Sequence, residues 1–118
     1  IDVETLSLYS EGLIIQKGTQ RFGIFSIAST DSLEKIEKQI EYFKKYKVDF
    51  IVAVVPEKRL VTSISGIDIV ISTANEDLFV MGETIKGTFY VDSPEVGSVG
   101  VILISPSRVV SAKVIQEL

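Results

Sequence analysis

Two strand-length apolar runs with one amphipathic helical stretch between them constrain this chain more than any other feature. Residues 21–28, "RFGIFSIA", are almost continuously apolar, as a strand covered on both faces is. The period then changes. In "STDSLEKIEKQIEYFKKYK", Leu33, Ile36, Ile40 and Phe43 fall on one helical stripe, while Glu34 with Lys38 and Glu41 with Lys45 stand in the favourable i,i+4 order on the opposite face. Asp31 and Glu34 have the spacing of a capping box, and the lysines of "KKYK" (44–47) complement the dipole at the helix end. A second apolar run, "VDFIVAVV" (48–55), follows directly. Strand, helix and strand in this order imply parallel pairing through a right-handed crossover.

The flanking segments extend the pattern. Residues 13–16 pair with 21–28 as a hairpin around a Lys17-Gly18 turn. A turn or short helix over 57–64 leads to a third buried strand, "IDIVIS" (67–72). Beyond it, "GTFYVD" (87–92), "GVILIS" (100–105) and "RVVSAKVIQ" (108–116) read as strands with short connections, the last two forming an antiparallel hairpin at Pro106-Ser107. The expected fold class is α/β: parallel strands with a covering helix, followed by antiparallel strands. All 118 residues fit one domain, enough to bury roughly two-thirds of the surface exposed on unfolding. The opening "IDVETLSLYSEG" reads like the interior of a longer protein.

Composition removes whole classes of chemistry. Cysteine and histidine are both absent, so the chain itself holds no disulfide, thiol nucleophile, histidine triad or histidine-based metal cluster. A net charge of −4 with scattered basic residues argues against a nucleic-acid partner. Mean hydropathy is +0.34, yet no apolar run approaches the ~20 residues of a membrane span. No phosphate-loop, dinucleotide or nucleophile-elbow motif is present.

In open parallel sheets, ligands bind at the carboxyl ends of the strands. That rule selects Ser29-Thr30-Asp31, Pro56-Glu57-Lys58 and the loop Ser72–Asp77. Asp49 and Asp68 fall at the amino ends, where turn or capping roles are expected. Ser29, Thr30 and Asp31 at a helix start offer free backbone amides to an anionic ligand, which would make the chain a non-catalytic binder, although helix capping alone explains the same residues. Asn75, Glu76 and Asp77 carry the oxygens a hard cation takes, although adjacent polar loop residues are commonly just solvated.

The succession "FGIFSIAS", helix, "VDFIVAVVP", "GIDIVISTANE" and "GTFYVDSPEVGSVGVILI" resembles the later half of the catalytic domain of calcineurin-like metallophosphoesterases, particularly the 5′-nucleotidase branch. The likeness runs from Leu13 onward and includes Gly23, Asp49, Gly66, Asp68, Gly87, Thr88, Gly97 and Gly100. It implies half of an α/β/β/α sandwich. Where that family ends a strand in Ser-His, this chain has Val55-Pro56; where it has Gly-Gly-His-x-His, this chain has Ser72-Thr73-Ala74-Asn75-Glu76. Only Glu76 keeps a donor at a metal-ligand position, and one carboxylate cannot hold the two metals such chemistry uses. The resemblance therefore implies no catalytic residue, no cofactor and a structural or interaction role. The alternative is a metal-dependent phosphoesterase whose ligands lie upstream of Ile1, with Glu76 contributing. Implied partners are the remainder of a longer chain or a second copy, and the family leans to a periplasmic or extracellular setting.

Overall fold

The computed structural model describes residues 5–8, 12–73, 82–93, 98–104 and 110–116. Seven strands form one mixed sheet in the order β1-β2-β3-β4-β5-β7-β6, and β8 and β9 form a second, two-stranded sheet. In chain order these are β1 (Thr5–Leu8), β2 (Gly12–Lys17), β3 (Gln20–Ser26), α1 (Leu33–Lys45), β4 (Phe50–Val55), a 3₁₀ turn (Lys58–Leu60), β5 (Ile69–Ser72), β6 (Glu83–Ile85), β7 (Thr88–Asp92), β8 (Ser98–Ile104) and β9 (Val110–Gln116).

The expected hairpin and parallel strands are present. β2 and β3 are antiparallel, β3, β4 and β5 are parallel neighbours, and β8 pairs antiparallel with β9. The turn of the first hairpin is Gly18-Thr19 rather than Lys17-Gly18, because Lys17 and Gln20 are the last paired residues. β7, which followed the supposed change to antiparallel structure, pairs parallel to β5 and extends the parallel set to four strands. Two strands were not foreseen. β1 caps one edge against β2, and the three-residue β6 folds back on β7 at the other. Pro106-Ser107 lie outside the described residues.

α1 is stopped at both ends by identifiable contacts. Its N-cap is Ser32, whose hydroxyl accepts the Lys35 amide at 3.2 Å, and not the expected Asp31–Glu34 box. Asp31 instead accepts from the Ala28 amide at 2.8 Å and pairs with Lys35 at 3.0 Å, closing the loop before the helix. The expected Glu34–Lys38 pair is present at 3.3 Å, exposed and worth little. At the other end, the amides of Lys47 and Val48 reach back to the carbonyls of Lys44 and Phe43. This is a Schellman stop, with Lys47 at φ 56 where glycine is usual.

The sheet is covered on both faces. Ile36, Ile40 and Phe43 of α1 pack on Ile14, Phe25, Ile51, Ala53 and Val55, and Val61 and Ile67 of the 57–67 crossover continue this layer over Val70 and Tyr90. Full burial of each such side chain contributes about 1.5–3 kcal/mol. Helix and sheet meet tightly at Gly12 and Gly23, where an added Cβ would stand 2.9 and 2.7 Å from the Phe43 ring. The glycines form the floor on which Phe43, fully buried, lies. On the other face Val52, Ile69, Phe89 and Val91 pack beneath Ile102, Ile104 and Val110 of β8–β9, and Phe22 stacks on Phe50 with centroids 5.5 Å apart. Among the described residues no helix is long and apolar enough to cross a membrane.

Candidate functional site

The carboxyl ends of the parallel strands gather three of the segments the sequence singles out. After β3, the Ala28–Asp31 turn is held by the Asp31 carboxylate, whose backbone bond to Ala28 and pairing with Lys35 keep its pKa below the ordinary 3.8. Asp31 thus closes the turn before the helix, while the first-turn Lys35 amide is taken by the Ser32 hydroxyl. After β4 comes Pro56, then Glu57 in an ion pair with Arg59. At the end of β5, Ser72 is completely buried, and the Thr73 amide and hydroxyl both donate to the Val55 carbonyl, at 2.8 and 3.3 Å. The Ser93 amide reaches the Ser72 carbonyl at 2.7 Å, so β7 ends beside it. Ala74, Asn75, Glu76 and Asp77, which carry the candidate metal position, lie outside the described residues. Among the described residues no three acidic side chains assemble a metal-ion site.

The opposite, amino-terminal edge has its own construction. Asp49 Oδ2 accepts the Arg21 amide at 2.7 Å, and Asp68 Oδ2 accepts the Ile51 amide at 2.8 Å. Each aspartate also donates its own amide to the carbonyl of the residue it caps. Thr88 continues the series by donating its hydroxyl to the Ile67 carbonyl at 2.8 Å. Parallel strands leave such amides unmatched where a neighbour begins late, and an aspartate one or two residues before the strand supplies the acceptor. The capping role expected for Asp49 and Asp68 is the one the geometry shows.

Beside Asp68 lies a feature that sequence reasoning missed. A groove of about 560 Å³ opens between the 58–67 crossover and the β6–β7 turn, floored by Ile67 and Tyr90 and rimmed by Lys58, Ser63, Ser65 and Lys86. Burial pushes the Tyr90 phenol above its ordinary pKa of 10.0. The rule that directs attention to carboxyl ends directs it away from this edge. The available signal was Ser65-Gly66, a glycine in a short crossover, and Lys86-Gly87 between two extended segments.

With this geometry in place, the chain can be set beside known structures. A protein described as a 5′-nucleotidase from Staphylococcus aureus, solved with α-ketoglutarate, superposes with a TM-score of 0.65 at 14% identity, over 90% of this chain and 29% of that one. The sulfate thiohydrolase SoxB of Thermus thermophilus, solved with glycerol, superposes with a TM-score of 0.76 at 12% identity, over 92% of this chain and 25% of that one. The chain therefore shares its fold with a segment of each of these two proteins. The likeness expected from strand order and spacing is thus present in three dimensions, and the chain spans between a quarter and a third of each of these proteins. No protein-family model matches the chain, and no curated protein matches it.

Proposed function

We propose that this chain is a non-catalytic, metallophosphoesterase-like unit that serves as structural support or an interaction surface within a larger assembly. One observation carries the proposal. The sequence positions where metallophosphoesterase ligands are expected hold Val55-Pro56 and Ser72-Thr73-Ala74-Asn75-Glu76, in a chain of 118 residues without a single histidine. Neither proline nor alanine offers a side-chain donor, and two-metal activation of water needs a dense set of ligands. The partner surface belongs to β9. Residues 13–16 and 87–92 are paired on both sides within the large sheet, whereas β9 pairs only with β8 among the described strands. An open edge of this kind accepts a strand from an adjoining part of a longer chain or from a second copy.

The competing proposal is a hydrolase segment whose metal ligands are supplied from elsewhere in a longer protein, in keeping with the fraction of each neighbour that the chain covers. Because the isolated chain gives only background under either proposal, the assay that separates the two incubates the longer protein containing this segment with Mn²⁺, Zn²⁺, Co²⁺ or Mg²⁺ and a generic phosphomonoester. Background release is expected. Turnover that scales with protein and is abolished by Glu76→Ala overturns the non-catalytic proposal.

A further inference from the structure

The groove at the amino-terminal edge holds a polar group that the fold itself does not use. Tyr90 lines it and is only 5% exposed, its ring set in the core layer with Val61, Ile67 and Val70. A tyrosine buried to this degree ordinarily finds a partner for its O–H. Among the described residues, none hydrogen-bonds to the Tyr90 hydroxyl. The oxygen is not sealed off with the ring, so it meets the open groove. Burial keeps the phenol above its ordinary pKa of 10.0, and at neutral pH it therefore holds its proton and acts as a donor that lacks an acceptor.

The charged residues of the lining do not select an ion. Asp68 accepts the Ile51 amide, Lys58 has an interaction partner of its own, and Lys86 stands exposed on the β6–β7 turn, where water screens it. Thr62 and Thr88 have committed their hydroxyls to the carbonyls of Arg59 and Ile67. The groups left to a ligand are the uncharged hydroxyls of Tyr90, Ser63 and Ser65. Beside them lies apolar surface: Ile67 on the floor, Ile64 partly buried, and Ile85, a large aliphatic side chain left 39% exposed. A volume of about 560 Å³ lies within the ~300–1,000 Å³ range of small-molecule sites, which are mostly apolar with a few convergent polar groups.

We propose that this groove binds a small uncharged molecule, one that lays an apolar ring against Ile64, Ile67 and Ile85 and presents a carbonyl or amide oxygen to the Tyr90 hydroxyl. The Ser63 and Ser65 hydroxyls meet its polar rim. Tyr90 is the least solvated of the three, so its bond to the ligand's oxygen carries most of the selectivity. The site lies at the amino-terminal edge of the sheet, away from the carboxyl-end loops, and stands independently of whether those loops support catalysis.

Titration of the ¹⁵N-labelled chain with benzamide, toluene and benzoate, each alone, tests it by amide shift mapping. Saturable shifts are expected with benzamide at Ser65, Gly66, Gly87 and Thr88. Toluene, which has the ring without the oxygen, should bind about fivefold more weakly or worse, the loss of one buried hydrogen bond. Benzoate, which adds the charge, should gain nothing over benzamide. Tyr90→Phe keeps the ring in the core and removes only the hydroxyl, so it should weaken benzamide by about fivefold or more and leave toluene unchanged, in a spectrum that keeps its dispersion. Ser63→Ala with Ser65→Ala, both at exposed positions, should weaken benzamide further without disturbing the fold. Linear, unsaturable shifts with benzamide, shifts centred on the Ala28–Ser32 helix start, toluene or benzoate binding more tightly than benzamide, or equal benzamide affinity in Tyr90→Phe would overturn the proposal.

Discussion

Substituting Gly23 by alanine tests the packing that fixes α1 on the sheet. In an unhindered strand this change removes glycine's excess unfolded-state entropy and stabilises by about 0.5–1 kcal/mol. Here the new Cβ would stand 2.7 Å from both Cγ and Cδ1 of Phe43 and 3.0 Å from Cδ2. Carbon atoms reach their optimum at about 3.5–4.0 Å, so the ring or the strand has to move by roughly 0.8 Å or more. Phe43 has nowhere easy to go, being fully buried and set edge-on against Phe25 with centroids 5.7 Å apart. Overpacking of this kind costs about 1–3 kcal/mol, which reverses the sign expected from backbone entropy alone. Urea denaturation followed by circular dichroism should show a lower midpoint with an unchanged slope, since no additional surface is exposed. The decisive variant is the double one. Phe43→Leu alone loses buried ring area, but combined with Gly23→Ala it vacates the space the methyl needs, so the two costs should fall short of additivity by at least ~0.5 kcal/mol. A Gly23→Ala protein as stable as the parent, or strictly additive costs, would refute the glycine-floor argument.

Four further outcomes follow from other parts of the fold. Lys47→Gly should stabilise the chain by about 0.5–1 kcal/mol in thermal melts, because Lys47 occupies the left-handed position of the Schellman stop at φ 56, and a loss of stability would contradict this. Asp68→Ala should destabilise by about 1–3 kcal/mol in the same melts, since it strips the buried start of β4 of the acceptor for the Ile51 amide. Asp31 is held below its ordinary pKa of 3.8 in the folded state, so its contribution is present above that value and is lost as pH falls through the lower folded one; the stability gap between the parent and Asp31→Asn should close in acid, and a gap that widens there would contradict the assignment. Chelator and millimolar Ca²⁺ or Mg²⁺ should leave the melting temperature unchanged, whereas a site at Asn75, Glu76 and Asp77 filled at a hundredfold excess over its Kd would add about 2.7 kcal/mol.

How legible each element was in the sequence tracks how locally it is determined. α1 and β4 were plain because a 3.6-residue stripe and an unbroken apolar run need no partner to be recognised. The helix cap was misplaced by one residue: Asp31 and Ser32 are both good caps, and only the Ala28 amide, which draws Asp31 backward, decides between them. β1 and β6 escaped notice because "TLSL" and "ETI" are too short to show a period, and they exist as edges against β2 and β7. The direction of β7 was invisible for a different reason, since its short, strand-rich surroundings look the same whether the chain returns parallel or antiparallel. At the carboxyl edge the missing donors could be read directly, because proline and alanine lack them in any conformation. The groove could not be read that way, for it joins Lys58, Asp68 and Lys86 from three segments that only the tertiary fold brings together.

The short crossover between β4 and β5 connects these observations. A full helix in that position would have covered the face over Val70 and Tyr90 as α1 covers the face over Phe25 and Ala53. The segment instead makes a single 3₁₀ turn at Lys58–Leu60 and buries Val61 and Ile67, leaving Ile64 only partly covered. That suffices to seal the core and leaves the groove open beside it. The Asp68 and Thr88 contacts then hold the starts of β4, β5 and β7 in register along the groove's edge, at 2.8 Å each. Lengthening the crossover into a helix should therefore cover the groove while leaving the parallel sheet intact, and these two effects are separable in one set of amide spectra.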